Sequence, residues 1–358
     1  YQSSGQEKQA GQQAQEYKKK LTEFDDFLSL NMDHLMMDRQ TPTVKTRPLP
    51  EASKLQESFF PVDYGKIKGY LLSKLPDSDE IVLTLTKSLK KRLMRGDPTS
   101  RRQNTVLYVY ADLFNLKSTK PVEERVFYKL LTHLNTDIKG EALKVLNLMC
   151  WLSVARKHMG GCKEFLELLI HILKTEGADS KIRRRSLSIL QSVSLLKKPQ
   201  DTMIENETIE SCIQILNEEQ DTLCAHSLDY FTALLMNLCL RIEGRERCAK
   251  YPIDIFELME NLLHFESSQV RTFVNGILFS LISHPELKKR AKETGFLKRL
   301  EVLKTRLEER FCQQINCIIE EAERPEKAPV EDFEDEGNLE DLTPVDEEDI
   351  SDGRLLLK

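Results

Sequence analysis

The chain has 358 residues, with 52 Lys and Arg against 58 Asp and Glu, 8 Cys, 14 Gly and 13 Pro. At 40% hydrophobic and 31% charged residues it holds enough apolar material for a sizeable core, and more wetted surface than the about 25% charged of a typical soluble protein. Gly and Pro are too sparse for an all-β protein full of tight turns, and no apolar run approaches the about 18 residues that a membrane helix needs.

In chain order, the start Tyr1-Gln2-Ser3-Ser4 lacks an initiator Met, so a fragment or processed product is expected. Residues 1–20 are rich in Gln, Glu, Lys and Ser. Leu21, Phe24, Phe27, Leu28 and Leu30 then recur at helical spacing. The segment from Thr41 to Pro50 holds three prolines, which remove donors and push their predecessors to extended conformations. Residues 1–60 are therefore expected to be a mostly flexible linker with one short helical segment, extended over 38–60.

From 61 to 323 the pattern is helical throughout, with apolar residues at i, i+3, i+4 and i+7 and no convincing alternation. Around Ala142, Leu143, Leu146, Met149 and Cys150 the apolar stripe is wide, which predicts a helix packed on two sides. Asp97-Pro98 has the form of a helix start, with Asp as cap and Pro in the first turn. Gly140, Gly160-Gly161, Gly177, Gly244 and Gly295 stand as candidate breaks.

Three long apolar segments, 182–196, 223–240 and 270–282, can be laid over one another, each preceded by a shorter one at 162–175, 207–217 and 253–265. The period is about 42 residues, in the range of armadillo and HEAT arrays. The fold class expected is all-α, a right-handed α-solenoid of armadillo-type helical repeats with about six units. The span Glu320–Asp352 carries a net charge of −14, leaving residues 1–319 at +6. Such a block repels itself, so 324–358 is expected to be a disordered acidic tail.

No chemistry-bearing motif interrupts this pattern. There is no Gly-x-Gly-x-x-Gly, no Gly-Lys-Ser/Thr loop, no His-Glu-x-x-His, no Gly-x-Ser-x-Gly and no Cys-x-x-Cys or zinc-type pairing. The expectation is a non-enzyme with no catalytic residue, no cofactor, no metal and no small-molecule substrate. Several of the cysteines sit in apolar stripes, and the expectation is buried free thiols in a reducing compartment. Cys224 and His226 are two apart, which points them in different directions on a helix.

Basic clusters are the candidate contact surfaces. Lys87, Lys90, Lys91, Arg92 and Arg95 share a segment, with Arg101 and Arg102 close behind. Lys181, Arg183, Arg184 and Arg185 open another, and Lys288, Lys289, Arg290 and Lys292 a third. Positive faces attract acidic protein tails, nucleic acid or lipid. Without interleaved aromatics, nucleic acid is not the expected partner. The alternative is an ordinary solvated helix face. Arg183-Arg184-Arg185-Ser186 also fits a basophilic kinase site, against burial of Ser186 beside Leu187.

The stretch Phe231 to Arg241 with Gly244 to Ala249, and the run Val274 to Leu281 followed by Ala291 to Leu297, resemble armadillo third helices and the starts of the following repeats. Residues 180–320 resemble a family of LisH-domain armadillo proteins of cilia and basal bodies, and the acidic segment after the last repeat fits it too. The LisH segment itself is not in this sequence, as expected of a fragment starting after it. The resemblance implies a protein-interaction scaffold in the cytoplasm and cytoskeleton, at the ciliary basal body or centriole, supporting cilium assembly, stability and signalling. Its implied partners are ciliary or microtubule-associated proteins, with no membrane insertion and the oligomeric state left open.

The resemblance also implies that Asn237 lines the concave groove and pairs with the backbone of an extended peptide, with Asn147 a second case. The alternative is an Asn bonded within the stack. The segments 182–196 and 270–282 carry Ser near that position, so a regular Asn ladder is missing. Two further readings stand beside the ciliary one. One is a cytoplasmic or nuclear adaptor holding extended peptides in the groove. The other is a direct microtubule binder using Lys90, Lys91, Arg92, Arg183 and Arg184.

Overall fold

A computed structural model describes residues 62–305, 307–325 and 341–342. The linker expected over 1–60, its short helical segment and most of the acidic tail lie outside the described residues. Two compact units divide the chain, one built around residues 44–241 with 334–356, the other around 242–333.

The first unit contains α1 (Tyr64–Lys74), α2 (Asp79–Met94), α3 (Pro98–Tyr110), a 3-10 turn at Val122–Glu124, α4 (Val126–Leu131) and α5 (Thr136–Met149). It continues with α6 (Ser153–Gly160), α7 (Lys163–Thr175), α8 (Lys181–Val193), α9 (Lys197–Glu205), α10 (Thr208–Glu219) and α11 (Ala225–Cys239). The second unit contains α12 (Ile242–Lys250), α13 (Ile255–Leu263), α14 (Ser268–Ile282), α15 (Pro285–Glu293), α16 (Phe296–Lys304) and α17 (Glu309–Glu323). Among the described residues there is no strand, and no helix is long and apolar enough to cross a membrane.

The order is that of armadillo repeats: a short first helix, a second, and a long third. The triplets are α3–α4–α5, α6–α7–α8, α9–α10–α11, α12–α13–α14 and α15–α16–α17, after a first pair α1–α2. The long helices at 182–196, 223–240 and 270–282 are α8, α11 and α14, and the shorter helices before them are α7, α10 and α13.

Two features were not visible in the spacing of the apolar segments. Each unit of the repeat has an additional first helix, and in α6, α9, α12 and α15 it is only 8 or 9 residues long. Gly140 lies inside α5 and not at a break, whereas Gly244, the third residue of α12, lies near one. At Gly140 the reason is packing, because a Cβ there would come within 2.8 Å of Arg185 Nη1. Gly295 does mark a boundary, since its φ of +69° is a left-handed conformation that glycine adopts at no steric cost.

Local chemistry sets the helix starts. Asp97 Oδ1 accepts from Ser100 N at 2.8 Å ahead of Pro98, as the Asp-Pro pair predicts. Ser180 and Ser267 accept in the same way from Arg183 N and Val270 N. Packing supplies most of the stability. In α5, Ile138, Ala142, Leu143, Val145 and Leu146 are wholly buried, because the helix packs against α2 on one side and α8 on the other. Each such Leu, Ile or Val stabilises by about 1.5–3 kcal/mol. Cys150, Cys162, Cys212, Cys239 and Cys248 are buried as expected, whereas Cys224, Cys312 and Cys317 are only half-buried; burial pushes the Cys150 thiol up to about 12 and the Cys162 thiol up to about 11. Neutral thiols at ordinary pH pack as small hydrophobes.

Candidate protein-interaction surface

In the first unit, α2, α5, α8 and α11 pack side by side in that order, so their side chains form one continuous layer. At its N-terminal end lies Glu141 of α5, only 8% exposed. Lys90 of α2 meets its Oε2 at 3.2 Å, and Lys144, one turn along α5, meets its Oε1 at 2.6 Å. Burial opposes the charged form of Glu141, but the Lys144 hydrogen bond and charge, aided by Lys90, hold its carboxyl below the usual range. Arg185 of α8 approaches from the other side, its Nη1 donating to Gly140 O at 3.1 Å. Burial lowers the Arg185 pKa, while the Glu141 charge raises it. Three helices thus bring three cations to one carboxylate.

Farther along the same layer the contacts are neutral. Ser188 Oγ of α8 donates to Asn147 Oδ1 at 3.2 Å. Asn237 Nδ2 of α11 donates to Ser194 Oγ, just past α8, at 2.8 Å. Both asparagines are buried, at 4% and 6% exposure. Each therefore ties its helix to the preceding or following third helix, and a peptide taking up either of these amide groups would have to exchange that bond.

The basic candidates separate by environment. Lys91 is exposed on α2. Arg92 turns inward, its Nε donating to Asn104 Oδ1 at 3.2 Å and its guanidinium lying 6.0 Å from the Tyr64 ring. Arg183 is 3% exposed. Its Nη1 and Nη2 donate to Glu219 at 2.6 and 3.2 Å, its Nε donates to Leu173 O at 3.0 Å, and it lies over Phe231. Arg184 sits 3.9 Å from Asp179, with Nη1 3.6 Å from Cys224 Sγ. Of the basic residues singled out from sequence, Lys90 and Arg185 belong to the Glu141 cluster. Ser186 is wholly buried, which removes it as an accessible kinase site. In the second unit Lys288 Nζ donates to Arg324 O at 2.8 Å, and Arg290 Nη1 to Ala249 O at 3.3 Å.

Sequence spacing missed Glu141 and Lys144, because neither belongs to a charge run. It marked Arg102 as basic and the tail as acidic, with the tail a natural target of the basic clusters, but not which residues pair. Asp341, in the acidic tail, pairs through Oδ2 with Arg102 Nη1 of α3 and accepts through Oδ1 from Ser153 N of α6 at 2.8 Å.

Comparison with known proteins gives the relationship. Residues 203–323 match the family described as LisH domain-containing protein ARMC9, ARM repeats. The LisH domain-containing protein ARMC9 of Danio rerio is 30% identical over 300 residues, covering 79% of this chain and 36% of that protein. That of Bos taurus is 31% identical over 263 residues, covering 70% of this chain and 38% of that protein. The chain thus spans little more than a third of the length of these curated relatives. Among solved structures, a computationally designed armadillo repeat protein for modular peptide recognition superposes with a TM-score of 0.57 at 13% identity, covering 70% of this chain and 98% of its own. A designed armadillo repeat protein in complex with the peptide (KR)4 superposes with a TM-score of 0.55, also at 13% identity, over 71% of this chain and 98% of its own. At that identity the likeness concerns the fold alone. The fold and the sequence relationship agree: this is an armadillo-repeat chain, and its repeat region, through residues 203–323, belongs to the ARM-repeat family of LisH domain-containing protein ARMC9.

Proposed function

We propose that this chain is a non-enzymatic protein-interaction scaffold that acts at the ciliary base, supporting cilium assembly and stability through ciliary or microtubule-associated partners. The observation that carries the scaffold role is the layer of third helices α2, α5, α8 and α11, a continuous side-chain surface offered by a repeat array. The ciliary setting is supported by the sequence relationship with LisH domain-containing protein ARMC9. Imaging of the tagged full-length protein in ciliated cells beside a basal-body marker tests it. Signal at the ciliary base is expected, and a diffuse or nuclear distribution refutes it.

The chemistry of the layer narrows the partner. One designed armadillo neighbour is bound to (KR)4, a basic peptide. Here Lys90, Lys144 and Arg185 surround a single Glu141, and exposed Lys87 and Lys91 add charge on α2. This excess favours an acidic segment over a basic one, and with it the microtubule-binding alternative over an adaptor that holds basic extended peptides in the groove. Salt-sensitive co-sedimentation with microtubules, weakened by Lys91→Glu, is the expected behaviour. Unchanged sedimentation of that variant refutes the microtubule alternative.

A further inference from the structure

The first unit has a second place that reads a carboxylate, at the corner between α3 and α6. Helix α6 starts after Leu152, whose side chain offers no cap to the first-turn amides. The Asp341 carboxylate supplies what Leu152 cannot. Its Oδ1 accepts from Ser153 N at 2.8 Å, and its Oδ2 pairs with the Arg102 guanidinium. An anion at a helix start is favoured by the unsatisfied N–H groups and by the helix dipole.

The next residue is read through its backbone. Leu342 N donates to Trp151 O at 2.7 Å. The same carbonyl accepts from Arg156 Nη1 at 3.0 Å, and Arg156 Nη1 also donates to Cys150 O at 2.7 Å. Arg156 is wholly buried, so it fixes the turn that presents Trp151 O and adds positive charge behind the Asp341 carboxylate. Burial works against ionised Asp341, but the Ser153 and Arg102 bonds outweigh it and hold its carboxyl below the ordinary range. The corner therefore recognises two things in a fixed relation: an acidic side chain, and the backbone N–H of the following residue.

We infer that the corner formed by Arg102, Trp151, Ser153 and Arg156 is a receptor site for an extended acidic peptide, filled in this chain by its own Asp341–Leu342, and that an acidic segment of another protein gains the site by displacing them. Two observations carry it together: a site built from separate elements, and an acidic ligand seated in it with both its side chain and its backbone engaged. It does not rest on the ciliary role, which the binding experiment below leaves untouched.

The test uses the full chain and a fluorescein-labelled peptide of residues 336–347. A ligand tethered to its own receptor has an effective concentration on the order of millimolar, so it competes strongly with added peptide. The peptide is expected to bind the Asp341→Ala chain at least about ten-fold more tightly than the unaltered chain. In the Asp341→Ala chain, Arg102→Gln is expected to weaken the peptide about ten-fold, as the loss of a charge-assisted pair implies. A peptide carrying Asp341→Asn should lose as much, and this control leaves the folded chain unaltered. Trp151 is the sole tryptophan, so its emission should change in the Asp341→Ala chain and return on saturation with peptide. Equal affinity for the two chains, no binding to either, or indifference to the Asn peptide overturns the inference.

Discussion

Arg183 decides whether the basic run that opens α8 is a docking face or a part of the core. Its side chain is only 4% exposed, and its guanidinium forms a fork on Glu219, which keeps 24% of its side chain in water. In Arg183→Ala, two charge-assisted bonds are lost, Leu173 O loses its donor, and the Phe231 face loses its cation. Removing one partner of a buried pair costs about 3–5 kcal/mol. Glu219 can recover some hydration, so the expected loss lies near the lower end, about 3 kcal/mol. Arg183→Lys keeps the charge but not the fork, and should lose about 1–2 kcal/mol. Urea denaturation followed by circular dichroism measures the loss, and a double-mutant cycle with Glu219→Gln should give a coupling above about 1 kcal/mol. Hydrogen exchange should localise the effect to α8, α10 and α11. If Arg183→Ala unfolds within about 0.5 kcal/mol of the unaltered chain, with no coupling, the residue behaves as a surface cation and its placement in the stack is refuted.

Leu235 is wholly buried in α11. Leu235→Asp places an unpaired carboxylate there, so a loss of several kcal/mol is expected and an unchanged melting curve contradicts the packing. Asn237→Ala should cost about 1–2 kcal/mol by stripping Ser194 Oγ of its donor, measured by the same denaturation. The folded pKa of Glu141 is depressed below 4.5, so its contribution is complete above pH 4.5 and is lost as pH falls through the folded value. Glu141→Gln should therefore flatten the acid limb of the stability profile, and a steeper limb would contradict that sign. Lys90→Glu turns an ion pair into a like-charge contact with Glu141 and should destabilise measurably, whereas Lys91→Glu at an exposed site should stay within about 0.5 kcal/mol.

What the sequence revealed depended on how local the cause was. Helices α8, α11 and α14 were legible because their apolar residues recur over 13 to 15 residues, and Asp97-Pro98 signalled α3 through a cap that spans one turn. The short first helices such as α6 and α9 were not. Helix α9 reads Lys-Lys-Pro-Gln-Asp-Thr-Met-Ile-Glu, too short and too polar for a periodic stripe, and its burial of Met203 and Ile204 comes from neighbours. Gly140 looked like a stop, and the crowding that a Cβ there would meet comes from Arg185, in another repeat, which no local pattern shows. A run of four basic residues at 181–185 reads as one surface in sequence, yet helical rotation sends Arg183 to Glu219, Arg184 towards Asp179 and Arg185 to Gly140. The contact of Asp341 with Arg102 joins residues 239 apart, and no local pattern encodes it.

Both carboxylate-reading places lie in the first unit, and salt should separate them. The cluster of Lys90, Lys144 and Arg185 offers an acidic segment mainly charge, with Glu141 already holding part of it. Its pull on an incoming chain acts through solvent and fades beyond the Debye length of about 8 Å at physiological ionic strength. The corner at α6 adds two backbone hydrogen bonds, Ser153 N to Asp341 and Leu342 N to Trp151 O. These require the ligand's backbone in one register, and they are little screened because the groups touch. Raising salt should therefore weaken association through the third-helix layer first and leave the corner contact in place. Of the charges in this chain, those fixed by a backbone amide then determine which acidic segment is accepted, and those spread over the helix faces determine how fast it arrives.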